Sequence, residues 1–200
     1  MTTITDIIND SLEHLGEPPS SGSDDDSTWV VRLTQAYDRE VKKLFEVHTW
    51  NFSLVKFQLA AVSPTPDGWA YGFTKPAKCK RVVKVASVST PSAGQIPYAD
   101  FGGRILTDSE TTWLDYVDGE KIDSPGMWPE VFAGALAAQL AWKVCPVIGS
   151  SDVKKDELRK TMRRNITEAK LWDAQQNGPF VIPPGEYEKA RYGFSRRYNG

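Results

Sequence analysis

Two histidines, two cysteines and several groups of carboxylates are the residues of this chain that could do chemistry. A Ser-His-Asp relay would have to use His14 or His48. His14 lies near the end of one helical pattern and His48 on the apolar stripe of the next, so helix-end and satisfied-core roles stand beside catalysis. No G-x-S-x-G elbow is present to supply a nucleophile. Cys79, between Lys78 and Lys80, is the better thiolate candidate of the two, because nearby cations lower a thiol pKa; the preferred reading is an inert cysteine at a strand edge. Cys145 falls in an apolar helical segment, where a thiol acts as a small apolar group. Asp108, Glu110, Asp115, Asp118 and Glu120 could provide a glycosidase pair, or simply end hairpins, since no local pattern singles out two. The "DDD" at 24 to 26 lacks the alternating ligands and glycine of a calcium loop, and reads as a solvated loop before a helix. "FGGRI" lacks the spacing and lysine of a phosphate loop and predicts a tight β-turn.

Cations cluster in two places. Lys154, Lys155, Arg159, Lys160, Arg163 and Arg164 crowd the first half of the last helical pattern. They make either a solvated helix face or a positive surface toward an acidic partner or passing DNA. Lys155, Arg159, Lys160, Arg163 and Arg164 are the candidates for that partner-facing role. The end of the chain carries Tyr187, Arg191, Tyr192, Phe194, Arg196, Arg197 and Tyr198, the residue types that anchor interfaces. A segment that orders on binding uses such residues better than a frayed terminus does.

The elements that must position these groups follow from period and punctuation. Ile4, Ile7, Ile8, Leu12 and Leu15 share one helical face, which Gly16 and Pro18-Pro19 terminate. Ser27 is a plausible N-cap for a second helix carrying Val30, Leu33, Tyr37, Val41, Leu44 and His48. That pattern passes at "HTWNF" into strand-like sequence with no linker. From Trp50 to about Val117 short β-branched and aromatic runs alternate with turn signals, predicting an antiparallel unit of four to six strands. Pro129 suits a first helical position, and "VFAGALAAQLAWKVC" is apolar almost all round, predicting a buried central third helix. A fourth helix runs from near Ser151 to about Gln176, with Leu158, Met162, Ile166, Ala169 and Trp172 as its buried stripe.

The expected fold class is α+β, mainly α. It is a four-helix bundle with an antiparallel β insertion between helices 2 and 3 and an extended C-terminal tail. Residues 1–49 and 128–177 form the bundle, 50–127 the insertion and 178–200 the arm. Totals agree with a globular protein: 40% apolar and 25% charged residues, with a net charge of -2. That balance argues against a surface that grips nucleic acid throughout. Two distant cysteines, no basic apolar leader and no apolar run near membrane length predict a soluble protein made in the cytoplasm. Rigid continuity between helix and insertion suits a building block better than a gated active site.

The order of five segments resembles a known family. "LEHLGEPP" follows the first helix and "TWNF" the second, followed by "WAYGFTKPAKCKRVVKV", "ILTDSETTWLDYV" and "PEVFAGALAAQLAW". Together, over roughly residues 4 to 175, they resemble the head-to-tail adaptor proteins of tailed phages, of the tail tubular protein A type. Leu15, Gly16, Glu17 and Pro18 match the helix-ending motif. Trp50, Asn51 and Phe52 match the strand entry, and Pro129, Phe132, Ala135, Leu136 and Leu140 the buried third helix. The resemblance implies a structural virion protein at the head–tail junction, present in the host cytoplasm during assembly. It implies a dodecameric ring of the chain with itself, docked under the portal protein. That ring extends the DNA channel and carries the downstream tail or nozzle protein. Genomic DNA passes without tight binding, no membrane is involved, and neither catalysis nor a cofactor is implied. The family's C-terminal region engages the portal, which suits the basic aromatic tail. The competing readings are a DNA-binding module using the fourth helix and tail, and a tail-associated cell-wall hydrolase.

Overall fold

The computed structural model describes residues 2–20, 22, 27–62, 68–90, 94–148 and 151–176. Among them the chain is α+β, with helices at both ends of the sequence order and two antiparallel sheets between. Helix α1 spans Ile4–Leu15. Thr3 and Asp6 form a reciprocal capping box at its start. Gly16, at φ 76°, ends it in the left-handed conformation that lets Glu17 N–H reach Leu12 O at 2.9 Å. Helix α2 spans Thr28–Val47 and is capped by Ser27, as its pattern predicts.

Strand structure does not begin at Trp50. Asn51–Ser53 form one 3-10 turn, and β1 is Leu54–Gln58. The remaining strands are β2 (Ala61–Val62), β3 (Tyr71–Thr74), β4 (Cys79–Ala86), β5 (Ala99–Phe101), β6 (Arg104–Thr107) and β7 (Trp113–Asp118). These seven exceed the expected four to six because β2 and β5 are too short to show a period. "FGGR" is the β5–β6 turn, with positive φ at Gly102 and Gly103, a backbone that glycine adopts without strain. A four-residue helix α3 (Gly119–Ile122) follows β7, capped by Asp118. Helix α4 is Glu130–Val144, with Pro129 as its N-cap residue. Helix α5 is Asp152–Gln175, capped by Ser151, and is the fourth of the long helices read from the sequence.

The sheets run β1-β7-β4 and β2-β3-β6-β5. The three-stranded sheet is covered on both faces. Leu54 and Val117, paired across β1 and β7, join the helical core with Val83. Val55 and Tyr116, the next pair, face a second core with Val82, Val85 and Leu114. The four-stranded sheet adds Phe73 and Ile105, themselves paired, to that second core. In β4 the register slips between Cys79 and Arg81 and between Val82 and Lys84. Each slip inserts one residue, so Cys79, Val82 and Val85 return to one face at a spacing of three instead of two.

In the helical core α4 packs against α1, α2 and α5. Its alanines let the neighbours approach closely. Phe132 sits among Phe45, Trp50, Phe52 and Trp128 with ring centroids 4.9–5.1 Å apart.

Candidate interaction surfaces

The join between α2 and β1 contains the groups closest to a catalytic arrangement. Asp173, buried in the last turn of α5, places Oδ2 2.9 Å from His48 Nε2. Its Oδ1 accepts from the Asn51 backbone N–H at 2.8 Å, and its carbonyl accepts from Asn51 Nδ2 at 2.7 Å. A carboxylate only accepts, so His48 Nε2 donates. The His48 ring stands edge-on to Trp50, with centroids 4.6 Å apart. Trp50 Nε1 donates to Leu44 O at 2.9 Å, closing the end of α2. Among the described residues no serine, threonine or cysteine side chain is hydrogen-bonded to His48. The arrangement is a clasp: three residues of "HTWN" hold the end of α2, the 3-10 turn before β1 and α5 together. Asp173 was missed from the sequence, though one signal was present. It lies four residues beyond Ala169 and seven beyond Ile166, on the stripe where α5 should be apolar.

A second polar contact lies inside the helical core. Glu40, 2% exposed, accepts from Lys43 Nζ at 2.7 Å, Gln139 Nε2 at 2.9 Å and Arg39 Nε at 3.3 Å. Burial alone would raise its pKa, but the hydrogen bonds from Lys43 and Gln139, the Lys43 charge and the Arg39 bond outweigh it and hold the carboxyl below its usual range. It ties α2 to α4.

The other groups considered from sequence are occupied structurally. Cys79 starts the edge strand β4 and faces the second core. Burial pushes its thiol pKa up; the Lys75 charge opposes this, while Asp100 and Asp118 add to it. This agrees with the inert strand-edge reading of Cys79: Lys78 reaches to Glu120, and Lys80 is an exposed residue lying against Gly119. Cys145 is buried in the helical core. Asp108 accepts from Ala70 N–H, Asp115 pairs with Lys56 at 3.4 Å, and Asp118 caps α3. His14 lies half-buried in the last turn of α1. The "DDD" loop lies outside the described residues.

The cations of α5 point away from α4. Lys155, Arg159, Lys160, Arg163 and Arg164 are all exposed. Between Glu157 and Glu168 the helix holds four cations and no carboxylate. Arg164 lies 3.9 Å from Glu168, while Arg159, Lys160 and Arg163 form no ion pair with a described residue. Lys154, by contrast, turns inward and donates to Leu15 O, capping the C-terminus of α1. Met162, Ile166 and Trp172 are only half-buried, so the stripe of α5 is narrower than expected.

An opposite surface lies on α1. Asp6, Asp10 and Glu13 recur at helical spacing and are exposed. Asp6, Asp10 and Glu130, from the start of α4, line one cleft of about 290 Å³. Burial and then the Glu13 charge raise the Asp10 pKa, His14 opposes, and Asp6 adds to the rise. Among the described residues no group of three or more His, Cys, Asp or Glu could hold a metal ion. No described helix is long and apolar enough to cross a membrane. Tyr187, Arg191, Tyr192, Phe194, Arg196, Arg197 and Tyr198 lie outside the described residues. No protein-family model matches the chain, and no curated protein matches it.

Proposed function

We propose that this chain is a structural virion protein, a head-to-tail adaptor that forms a dodecameric ring beneath the portal protein. α1, α2, α4 and α5 act as a four-helix bundle, and the strands between α2 and α4 act as its rigid insertion. The ring extends the DNA channel and presents a platform for the downstream tail or nozzle protein. The observation that carries this reading is the use made of the polar groups. His48, Asn51 and Asp173 are committed to joining elements, whereas Arg159, Lys160 and Arg163 on the outer face of α5 are exposed and form no ion pair with a described residue. Such a chain is built to hold a shape and meet neighbours. The motifs behind the resemblance fall at joints: Gly16 at the end of α1, Trp50 and Asn51 at the clasp, Phe132 in the aromatic cluster.

Tyr187, Arg191, Tyr192, Phe194, Arg196, Arg197 and Tyr198 are proposed to order on the portal. Light scattering of the chain alone, then mixed with the portal encoded in the same genome, tests the reading. A complex with the mass of portal plus ring is expected for the full chain, and none for a chain ending at residue 179. A full chain that ignores the portal at high concentration would overturn it. Exposed Arg159, Lys160 and Arg163 favour one second reading, a DNA-binding module. Tight, steeply salt-dependent gel shifts on duplex DNA would favour that module over the adaptor.

A further inference from the structure

A ring is closed by heterologous contacts, so each copy must present two different surfaces that fit each other. We propose that the cation band of α5, Arg159, Lys160, Arg163 and Arg164, docks on the acidic face of α1 and the α4 start in a second copy of this chain. This rests on the ring reading above and names the contact that would build it. Both surfaces are exposed, and they have opposite sign. Asp6 and Asp10 are four residues apart on one helix, as are Arg159 and Arg163, and Lys160 and Arg164, on the other. At 1.5 Å per residue each pair spans about 6 Å, so the two ridges match in pitch. Glu130 widens the acidic face beside Asp6 and Asp10 in the shared cleft. Neither surface is neutralised at home: Asp10, Glu13 and Glu130 form no ion pair with a described residue, nor do Arg159, Lys160 and Arg163. Mutual repulsion among the α1 carboxylates also falls when a cationic helix covers them.

The test uses the full chain and charge reversal on one side at a time. Arg159→Glu with Arg163→Glu cancels the net positive charge of the α5 band, because Lys160 and Arg164 remain; Asp10→Lys with Glu13→Lys cancels the net negative charge of the acidic face, because Asp6 and Glu130 remain. Asp6 is left alone because it caps α1. Circular dichroism checks that each variant is folded. Sedimentation velocity up to about 1 mM, at about 0.05 M and about 0.5 M salt, then reads self-association. The wild-type chain is expected to associate, more weakly at high salt. Each one-sided variant should associate about tenfold more weakly, and an equal mixture of the two should recover. The chain carrying all four reversals should recover alone. Asp10→Asn should raise the melting temperature of the free chain yet weaken association, a pair of effects that a purely structural role would not give. A wild-type chain that stays monomeric throughout, or one-sided variants that associate like wild type, would overturn the contact. Arginine reversals that abolish binding to a duplex DNA while leaving self-association intact would assign the band to nucleic acid instead. Charge-dependent association without portal binding would sink the adaptor reading and leave the contact. Normal portal-bound rings from the one-sided variants would do the reverse.

Discussion

α4 and α5 form a helical hairpin, yet they solve opposite problems. α4 buries ten of its 15 residues and is enclosed by α1, α2 and α5. α5 is longer, 24 residues, and buries three. Beyond its exposed first residues α4 packs on elements of the same chain, so its middle carries alanine, leucine and phenylalanine. α5 packs along α4 with a narrow stripe and turns a charged band outward. The contrast separates residues that make the fold from residues available to other molecules, and it predicts how each helix responds to change.

The largest effect is expected at the centre of α4. Leu136 is fully buried, and Leu136→Ala should cost about 3 kcal/mol in urea unfolding of the full chain. A cost near zero would mean that α4 is not the core helix. Asp173→Ala comes next, at about 2 kcal/mol, because it leaves the Asn51 N–H and the His48 ring without their acceptor. This sharpens the comparison: with Leu158 and Ala169, it is a place where α5 should behave like α4.

Glu40→Gln should cost about 1 kcal/mol near neutral pH, and it should also change the pH profile. The folded carboxyl has a pKa below its ordinary value of 4.5. Its stabilisation is therefore present above the unfolded value and lost as the pH falls through the folded one. Wild type should lose more stability than Glu40→Gln between about pH 6 and about pH 3, and parallel profiles would exclude this role. The smallest effect is expected on the outer side of α5. Leu171 is 58% exposed, and Leu171→Ala should change stability by less than about 0.5 kcal/mol. A larger loss would show that this face has a partner within the chain.

Much of this contrast was legible beforehand, because helix caps and stripes are local. Ser27, Ser151 and Gly16 mark their helix ends in the structure as in the sequence. The apolar run of α4 announces burial, and the cation crowd of α5 announces exposure. Lys154 was read with that crowd, yet it turns back to Leu15, a choice made by the approach of α1. Cys79 shows the same dependence on packing. Its sequence neighbours are lysines, but neighbouring residues in a strand point to opposite faces, and the thiol follows the face of the second core.

By itself the sequence determined the long helices, their ends, the five longer strands and the sign of each helical surface. Those features follow from hydrogen bonding and side-chain periodicity within a few residues. Only the tertiary structure decided that β4 carries two bulges and that one sheet serves two cores. It also decided that Asp173 clasps Asn51, 122 residues away, and that Gln139 completes Glu40, 99 residues away. Those pairings depend on which elements meet, and no short window of sequence contains both partners.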